Sequence, residues 1–456
     1  YPPIRFTGDH PGRPPGRRIT ADWFAGDFGR PFLHPQNMSR LMGRFLACAG
    51  LFFIAGTTLV PLPQQELAAR LTPWWCLICG DHGGQDVINN VLLFIPFALG
   101  LRLAGLPSWA VVVTGGLVSL TIELLQWSVV PGRDASLSDV LTNTLGSLVG
   151  AMVASYRVQL LRPSRSTGVC LAGCWGALWL TIQLGSALVL QPWAPAGELR
   201  GFWARQVYGH PRFDGQVVSA TLSGVPIPTD SQPVTPEMAR HIQSGRFDLQ
   251  LRLSRSGPSG RWSSVVEVLG RRGSVVTVEA NRGDLAFQPP MRSSLLRLGR
   301  PALRIPGALH SPPGTELTLV ARDQGSALQA EWTSSGVRHL VRQALGPSLG
   351  WSVLAPFRYT YGRDTSLLTM GWLIAWLLPV GYWTRHVSRR PFLSWGAALL
   401  LVAVGVGLLP LLTGYPPAPF SEWLGALLGL AAGGAGHRST AYFEARCDSL
   451  SIRESC

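Results

Sequence analysis

The chain contains no lysine, and only 14% of its 456 residues carry a charge. Charge this sparse excludes an ordinary soluble protein, in which about a quarter of residues are charged. With 46% hydrophobic residues and a mean hydropathy of +0.21, the composition is that of a membrane protein. The net charge of +14 is arginine alone. Those arginines lie in membrane-flanking loops and across a polar central region rather than on one helix, so nothing marks a nucleic-acid-binding face and no nucleic acid is expected as a partner. Cysteine is also too sparse for a disulfide framework. Cys48, Cys170 and Cys174 fall in apolar stretches, and Cys447 and Cys456 fall in the C-terminal tail.

The remaining pair, Cys76 and Cys79, forms a CxxC beside Asp81 and His82. Zinc needs four ligands, and this loop supplies three plausible ones at most. A redox motif would need a βαβ setting that the surrounding sequence lacks. A structural disulfide or two packed thiols is the expectation for Cys76 and Cys79. No metal and no cofactor are implied.

Crossing about 30 Å of hydrocarbon takes about 20 apolar residues. Eight such windows can be placed, near 41–62, 86–105, 107–130, 137–158, 169–190, 367–384, 393–413 and 421–436. No span-length apolar window falls in 191–365, which predicts a water-facing domain there. Arg40, Arg44, Arg102, Arg157, Arg162, Arg165, Arg385, Arg389, Arg390 and Arg438 sit at one set of helix ends, whereas the opposite short loops offer only Arg70 and Arg133. By the positive-inside rule both termini lie in the cytoplasm and the 191–365 domain outside a bacterial inner membrane. The expected division is 1–37, a disordered segment ahead of a candidate start at Met38; 38–165, four spans; 166–190, a fifth; 191–365, the external domain; 366–436, three more spans; and 437–456, a cytoplasmic tail.

Against this apolar background one stretch is anomalous. Asp86, Asn89, Asn90, Glu123, Gln126, Arg133, Asp139 and Asn143 all fall in or beside spans two to four. An ionisable group within a span costs on the order of 2.5 to 3.5 kcal/mol on the mildest scale, so a cluster of them points to function. Topology brings them to one level. Glu123 and Gln126 lie roughly 10 Å and 6 Å from the outer end of span three, while Asp86 and Asp139 open spans two and four from the same side. Asp86 with Asn90, Glu123 with Gln126, and Asp139 with Asn143 share helix faces. Gly146 and Gly150 continue the last stripe and allow close helix approach. Pro96 can kink span two and free a carbonyl.

The runs Cys76-Leu-Ile-Cys79-Gly80, Asp86-Val-Ile-Asn89-Asn90 through Pro96, Ile122-Glu123-Leu-Leu-Gln126, Pro131-Gly132-Arg133 and Ser138-Asp139 through Asn143 and Gly146 resemble the VanZ-like membrane domain. The resemblance covers about residues 41–160. It implies a teicoplanin-resistance-type membrane protein of the cell envelope, with membrane lipids and a lipid-linked wall precursor or envelope glycan as partners.

Residues 191–365 read as all-β. Short alternating runs at 247–253, 263–269, 274–278, 315–320 and 327–332 are separated by Gly-rich turns, the pattern of a sandwich or jelly roll. The Phe-x-Leu-x-Leu strand and the later strand ending in Trp332 are similar to concanavalin-like (LamG-type) jelly rolls, which implies glycan binding. Trp203, Trp262 and Trp332 nevertheless read as core aromatics rather than sugar platforms. The fold expected is thus a polytopic α-helical membrane protein of about eight spans with an inserted β-sandwich.

Spans four and eight both obey Ser-[Asp/Glu]-x6-Gly-x3-Gly, and Pro379 of span six echoes Pro96 of span two. This predicts that spans six to eight repeat spans two to four in degenerate form, with Ala426 in place of Asn143. Three functional classes follow. The first is a recognition or immunity protein holding a lipid-linked or envelope ligand. The second is an enzyme on a lipid phosphate, with Glu123 or Asp139 as base and Arg133 as anion clamp. The third is a small transporter. The absence of a nucleophile motif or phosphate loop, and the shallow, one-sided placement of the polar groups, favour the first.

Overall fold

In lipid every backbone N–H and C=O must find its partner within the chain, so the long apolar runs can only become helices. In the computed structural model the described residues are 35–61, 73–78, 80, 82–133, 135–203, 213–255, 262–271, 273–310, 312, 314–334, 336–387 and 391–436. The segments 1–34 and 437–456 lie outside them.

The helices are α1 (Pro35–Thr58), α2 (Gly83–Leu103), α3 (Ser108–Ser128), α4 (Leu137–Ser155), α5 (Arg165–Val189), α6 (Thr365–Val387), α7 (Pro391–Val402, continuing through a wider π turn, Ala403–Leu408, to Leu412) and α8 (420–436). Among the described residues, seven are long and apolar enough to cross a membrane. At the eighth expected span the chain forms α8, a helix at 420–436 that is too short to be counted with those seven.

Glycines set how closely these helices pack. A Cβ at Gly146 would stand 2.3 Å from the Val91 carbonyl oxygen, and one at Gly150 would stand 2.5 Å from that of Ile95, so α4 lies directly on the backbone of α2. On α8, Gly429 and Gly433 meet α6 in the same manner, 2.9 Å from Ile374 O and 2.0 Å from Leu378 O. In each case the contacted carbonyls are five and one residues before the helix proline, Pro96 or Pro379. Helix α1 lies along α2, with Gly43 against Gly100 and Gly50 against Phe97. Helix α5 lies along α6, where Trp175 Nε1 donates to Trp376 O at 2.8 Å.

Between α5 and α6 the chain forms two β-sheets. One has seven strands in the order β13-β9-β8-β7-β6-β1-β4, and the other has six in the order β12-β11-β10-β5-β2-β3. Their ranges are β1 Arg200–Trp203, β2 Gly215–Leu222, β3 Val225–Pro226, β4 Asp230–Pro233, β5 Phe247–Arg255, β6 Ser263–Gly270, β7 Gly273–Asn281, β8 Asp284–Gln288, β9 Ala302–Ile305, β10 Glu316–Asp323, β11 Ala327–Ser334, β12 Val337–Ala344 and β13 Thr360–Tyr361. All pairs are antiparallel except β13 with β9. Alternation on β5 and β10 sends Leu249, Leu251, Leu253, Leu317 and Leu319 into a core shared with Val276, Val278 and Phe287 of the other sheet. Phe247 and Phe287 meet edge to face across it. This two-sheet arrangement is compatible with a jelly roll. Trp332 is buried and stacks on His339, while Trp203 and Trp262 are half-buried, the first donating to Ile227 O and the second covered by the Arg358 guanidinium.

The sandwich rests on one end of the helices. Gly84 and Gln85, in the first turn of α2, donate their backbone N–H groups to Arg297 O at 3.1 and 3.2 Å. These are orphan donors of a helix start, satisfied here by a neighbouring domain. Arg297 takes a left-handed conformation (φ 53°) to present that carbonyl.

Candidate functional site

The end of the bundle beneath the sandwich is where the C-termini of α1 and α3 meet the N-termini of α2 and α4. Each of the eight polar residues singled out from the sequence lies on one of these helices or in the turn joining α3 to α4.

Helix α3 carries the buried polar stripe. Ser119, Glu123 and Gln126 recur at four and three residues, hence on one face, and are 0%, 6% and 7% exposed. Gln126 Nε2 donates to Thr58 O at the end of α1, at 2.9 Å. The Glu123 carboxylate accepts the backbone N–H of Ser136, the residue capping α4, at 2.7 Å. An acidic group at a helix N-terminus is doubly favoured, by the hydrogen bond and by the helix dipole. Asn143 of α4 donates through Nδ2 to Ser119 Oγ at 2.9 Å, and Ser119 Oγ reaches Asp139 O at 3.4 Å. One stripe on α3 thereby ties α1 and α4 together.

Arg133 follows Gly132, whose positive φ (76°) turns the chain between α3 and α4. Its Nη2 donates to Thr57 O at 2.9 Å and its Nε to Val60 O at 3.1 Å. The guanidinium therefore caps the exposed carbonyls at the end of α1, where a cation also complements the helix dipole.

Two buried acceptors are left over. Among the described residues, Gln126 Oε1 and Asn143 Oδ1 find no hydrogen-bond partner. Their amide orientations follow from their neighbours. Thr58 O can only accept, so Nε2 must face it and Oε1 must face away. Ser119 has one proton, directed at Asp139 O, so it accepts from Asn143 Nδ2. A buried unsatisfied acceptor costs on the order of 1 to 3 kcal/mol. Two on adjacent helices need a reason.

On α2, Asn89 and Asn90 are half-buried, and their amides make no hydrogen bond to other described residues. Asp86 is exposed at the helix start, and Asp139 is half-buried in the first turn of α4. Nearby, Trp74 O accepts the N–H of Leu137, so the loop carrying Cys76 closes over the start of α4. Cys76 is disulfide-bonded, and Cys79 lies outside the described residues.

Ser119 was not singled out from the sequence, although it lies four residues before Glu123 on the same face. A serine in an apolar helix carries no charge to flag it, and only its neighbours reveal its use. No cluster of three or more metal-type ligands occurs among the described residues.

The sandwich has a feature of its own, an open cleft of about 600 Å³ lined by His241, Arg246, Asp248, Arg322 and Asp323. Asp323 accepts the Gly325 N–H at 2.8 Å, and burial pushes its carboxyl up to about 7.

No curated protein and no solved structure matches the chain. Residues 40–161, which contain all eight polar residues of the mouth, match the VanZ/LLP1 family model, and the first four helices of this membrane protein are thus a VanZ-like domain.

Proposed function

We propose that this VanZ-like membrane protein holds a lipid-linked or cell-envelope ligand at the mouth of α1 to α4, and that it contributes in this way to glycopeptide (teicoplanin-type) resistance or envelope homeostasis. The observation that carries the reading is that, among the described residues, the buried acceptors Gln126 Oε1 and Asn143 Oδ1 have no partner and the amides of Asn89 and Asn90 beside them make no hydrogen bond. Folding leaves polar capacity there that a bound molecule would satisfy.

The mouth faces the extracytoplasmic side in this proposal, with the β-sandwich above it and both termini in the cytoplasm. Support comes from the arginines. Arg102, Arg157, Arg162, Arg165 and Arg385 lie at helix ends opposite the sandwich, as the positive-inside rule requires for a cytoplasmic face. The cleft around Asp323 offers the sandwich a surface for envelope polymer.

Two contacts weigh against an enzyme acting on a lipid phosphate. Arg133, the candidate anion clamp, spends Nε and Nη2 on the end of α1, and Glu123, a candidate base, is engaged by the Ser136 N–H.

The test is glycopeptide susceptibility. The wild-type chain, expressed in a susceptible bacterium, should raise the teicoplanin concentration that stops growth. Asn143→Ala and the double variant Asn89→Leu/Asn90→Leu, at matched membrane levels, should return it to the vector baseline. No wild-type effect would sink the resistance role, and a full effect in the variants would sink the site.

A further inference from the structure

The two halves of the helical region superpose in sequence by a constant shift. Pro96, Gly146 and Gly150 lie 283 positions before Pro379, Gly429 and Gly433, and the glycines make the same backbone contacts in both halves. The shift carries Asp86 to Thr369, Asp139 to Glu422 and Asn143 to Ala426. The reach-back to the first helix recurs as well. Tyr415, one residue out of that register with Arg133, donates its hydroxyl to Ala187 O near the end of α5 at 2.8 Å.

In the second half the corresponding mouth is filled by the chain itself. The turn Pro347–Val353 descends from the sandwich into it. Ser348 Oγ accepts from Gln183 Nε2 of α5 at 3.3 Å and lies beside the Glu422 carboxyl, while Trp351 Nε1 donates to Thr369 Oγ1 at 3.1 Å. Gly350 passes so close to Ser186 that a Cβ would stand 1.8 Å from its Oγ. The counterparts of Asp139 and Asp86 thus both face an inserted, uncharged segment. The group at its centre is a hydroxyl, able both to donate and to accept.

We infer that the mouth of the VanZ-like domain is the equivalent seat, and that it takes a neutral, hydroxyl-rich headgroup, as on a glycosylated membrane lipid, in preference to a phosphate. This rests on the proposed reading of the mouth as a ligand site and names its ligand class. The amides decide the chemistry. Asn89 and Asn90 each offer N–H donors and a carbonyl acceptor, and Gln126 and Asn143 offer one buried acceptor each. A hydroxyl meets both needs. A phosphate oxygen only accepts, so it would leave Gln126 Oε1 and Asn143 Oδ1 facing lone pairs, with the nearby Arg133 already committed to α1. The surrounding helices present Leu92, Leu117, Leu124, Trp127 and Leu141 outward, an apolar surface on which lipid chains can lie.

The experiment uses the full chain purified in a detergent without a sugar headgroup, because an alkyl glycoside would compete. Native mass spectrometry and thermal shift are read with monoglucosyl-diacylglycerol, with phosphatidylmethanol of the same acyl chains, whose anionic headgroup has no hydroxyl, and with free glucose. The glucosyl lipid should bind roughly tenfold or more tighter than phosphatidylmethanol, the equivalent of one to two hydrogen bonds. Asn143→Ala, which installs the residue already present at Ala426, should lose that preference, as should Asn89→Leu/Asn90→Leu, which breaks no hydrogen bond to described residues. Binding of free glucose with the same sensitivity to the variants would keep the chemistry and make the source soluble. Equal or tighter binding of phosphatidylmethanol, no binding of any probe, or a preference that survives both variants in folded protein would overturn the inference. Phosphatidylmethanol binding lost in the variants would overturn the headgroup alone and leave the mouth as a lipid site.

Discussion

Arg133 and Glu123 are the conspicuous charges of the mouth, yet both are turned toward backbone: one closes the end of α1 and the other opens α4. Charge in an apolar sequence therefore marked this end of the bundle but did not give each residue its task. The amides beside them, less visible in sequence, are the groups with capacity to spare. In the sandwich the residue with the clearest titration is Asp323, raised by burial from 3.8 to about 7. Between those values the folded chain keeps a proton that the unfolded chain has released. Its contribution to stability therefore falls as pH rises from about 4 to about 7 and is level above that, a drift of up to about 4 kcal/mol for the full shift. Asp323→Asn keeps an acceptor for the Gly325 N–H and removes the titration. Thermal unfolding of the full chain followed across this range should show a shallower fall in the variant. A residual slope is expected from Glu267, which burial raises in the same direction. Equal slopes in the two proteins would refute the assignment.

At the scale of elements, close packing between α2 and α4 rests on glycine. A methyl group at Gly146 or Gly150 would press on the α2 backbone, which cannot rotate aside as a side chain can. Gly146→Ala and Gly150→Ala should each cost about 1 to 3 kcal/mol. Gly56→Ala, where nothing lies within 4 Å, should be neutral or slightly stabilising because alanine favours helix. Unfolding in detergent would measure the difference, and indifference to Gly146→Ala would mean the helices are not in backbone contact. The glycine stripe and both prolines were legible in the sequence, as were the long helices, because length and hydropathy alone dictate a span. The strands β5, β6, β7, β10 and β11 were legible from alternation. β8 was not, being short and buried on both faces, nor was β9, only four residues long, nor β12, an edge strand exposed along most of its length. Reading spans six to eight as an echo of two to four left out α5, whose relation to α1 lies in where it packs and not in any shared motif.

For the whole molecule, the question is how a β-sandwich is held at a fixed place over the mouth. Its seat is narrow: the Arg297 carbonyl on the first N–H groups of α2, the Arg297 guanidinium on the Ile78 carbonyl just ahead of α2, and the Gln85 side chain reaching Ala355 O. Gly84 sits at the centre, where a Cβ would stand 1.9 Å from Leu296 O. That contact is backbone on backbone, so no rotamer can relieve it. Gly84→Ala should therefore lift the sandwich from α2 while leaving its own core and the glycine contacts of α2 with α4 intact, since Leu249, Leu319 and Phe287 pack against one another between the two sheets. The turn Pro347–Val353 is anchored separately, through Ser348 and Trp351 in the second mouth. Hydrogen exchange should accordingly rise at residues 83–86 and 292–300 and change little at 347–353. Uniform protection across all three segments would show that the seat on α2 does not position the sandwich. A rise at 347–353 of the same size would show instead that the two anchors open as one unit.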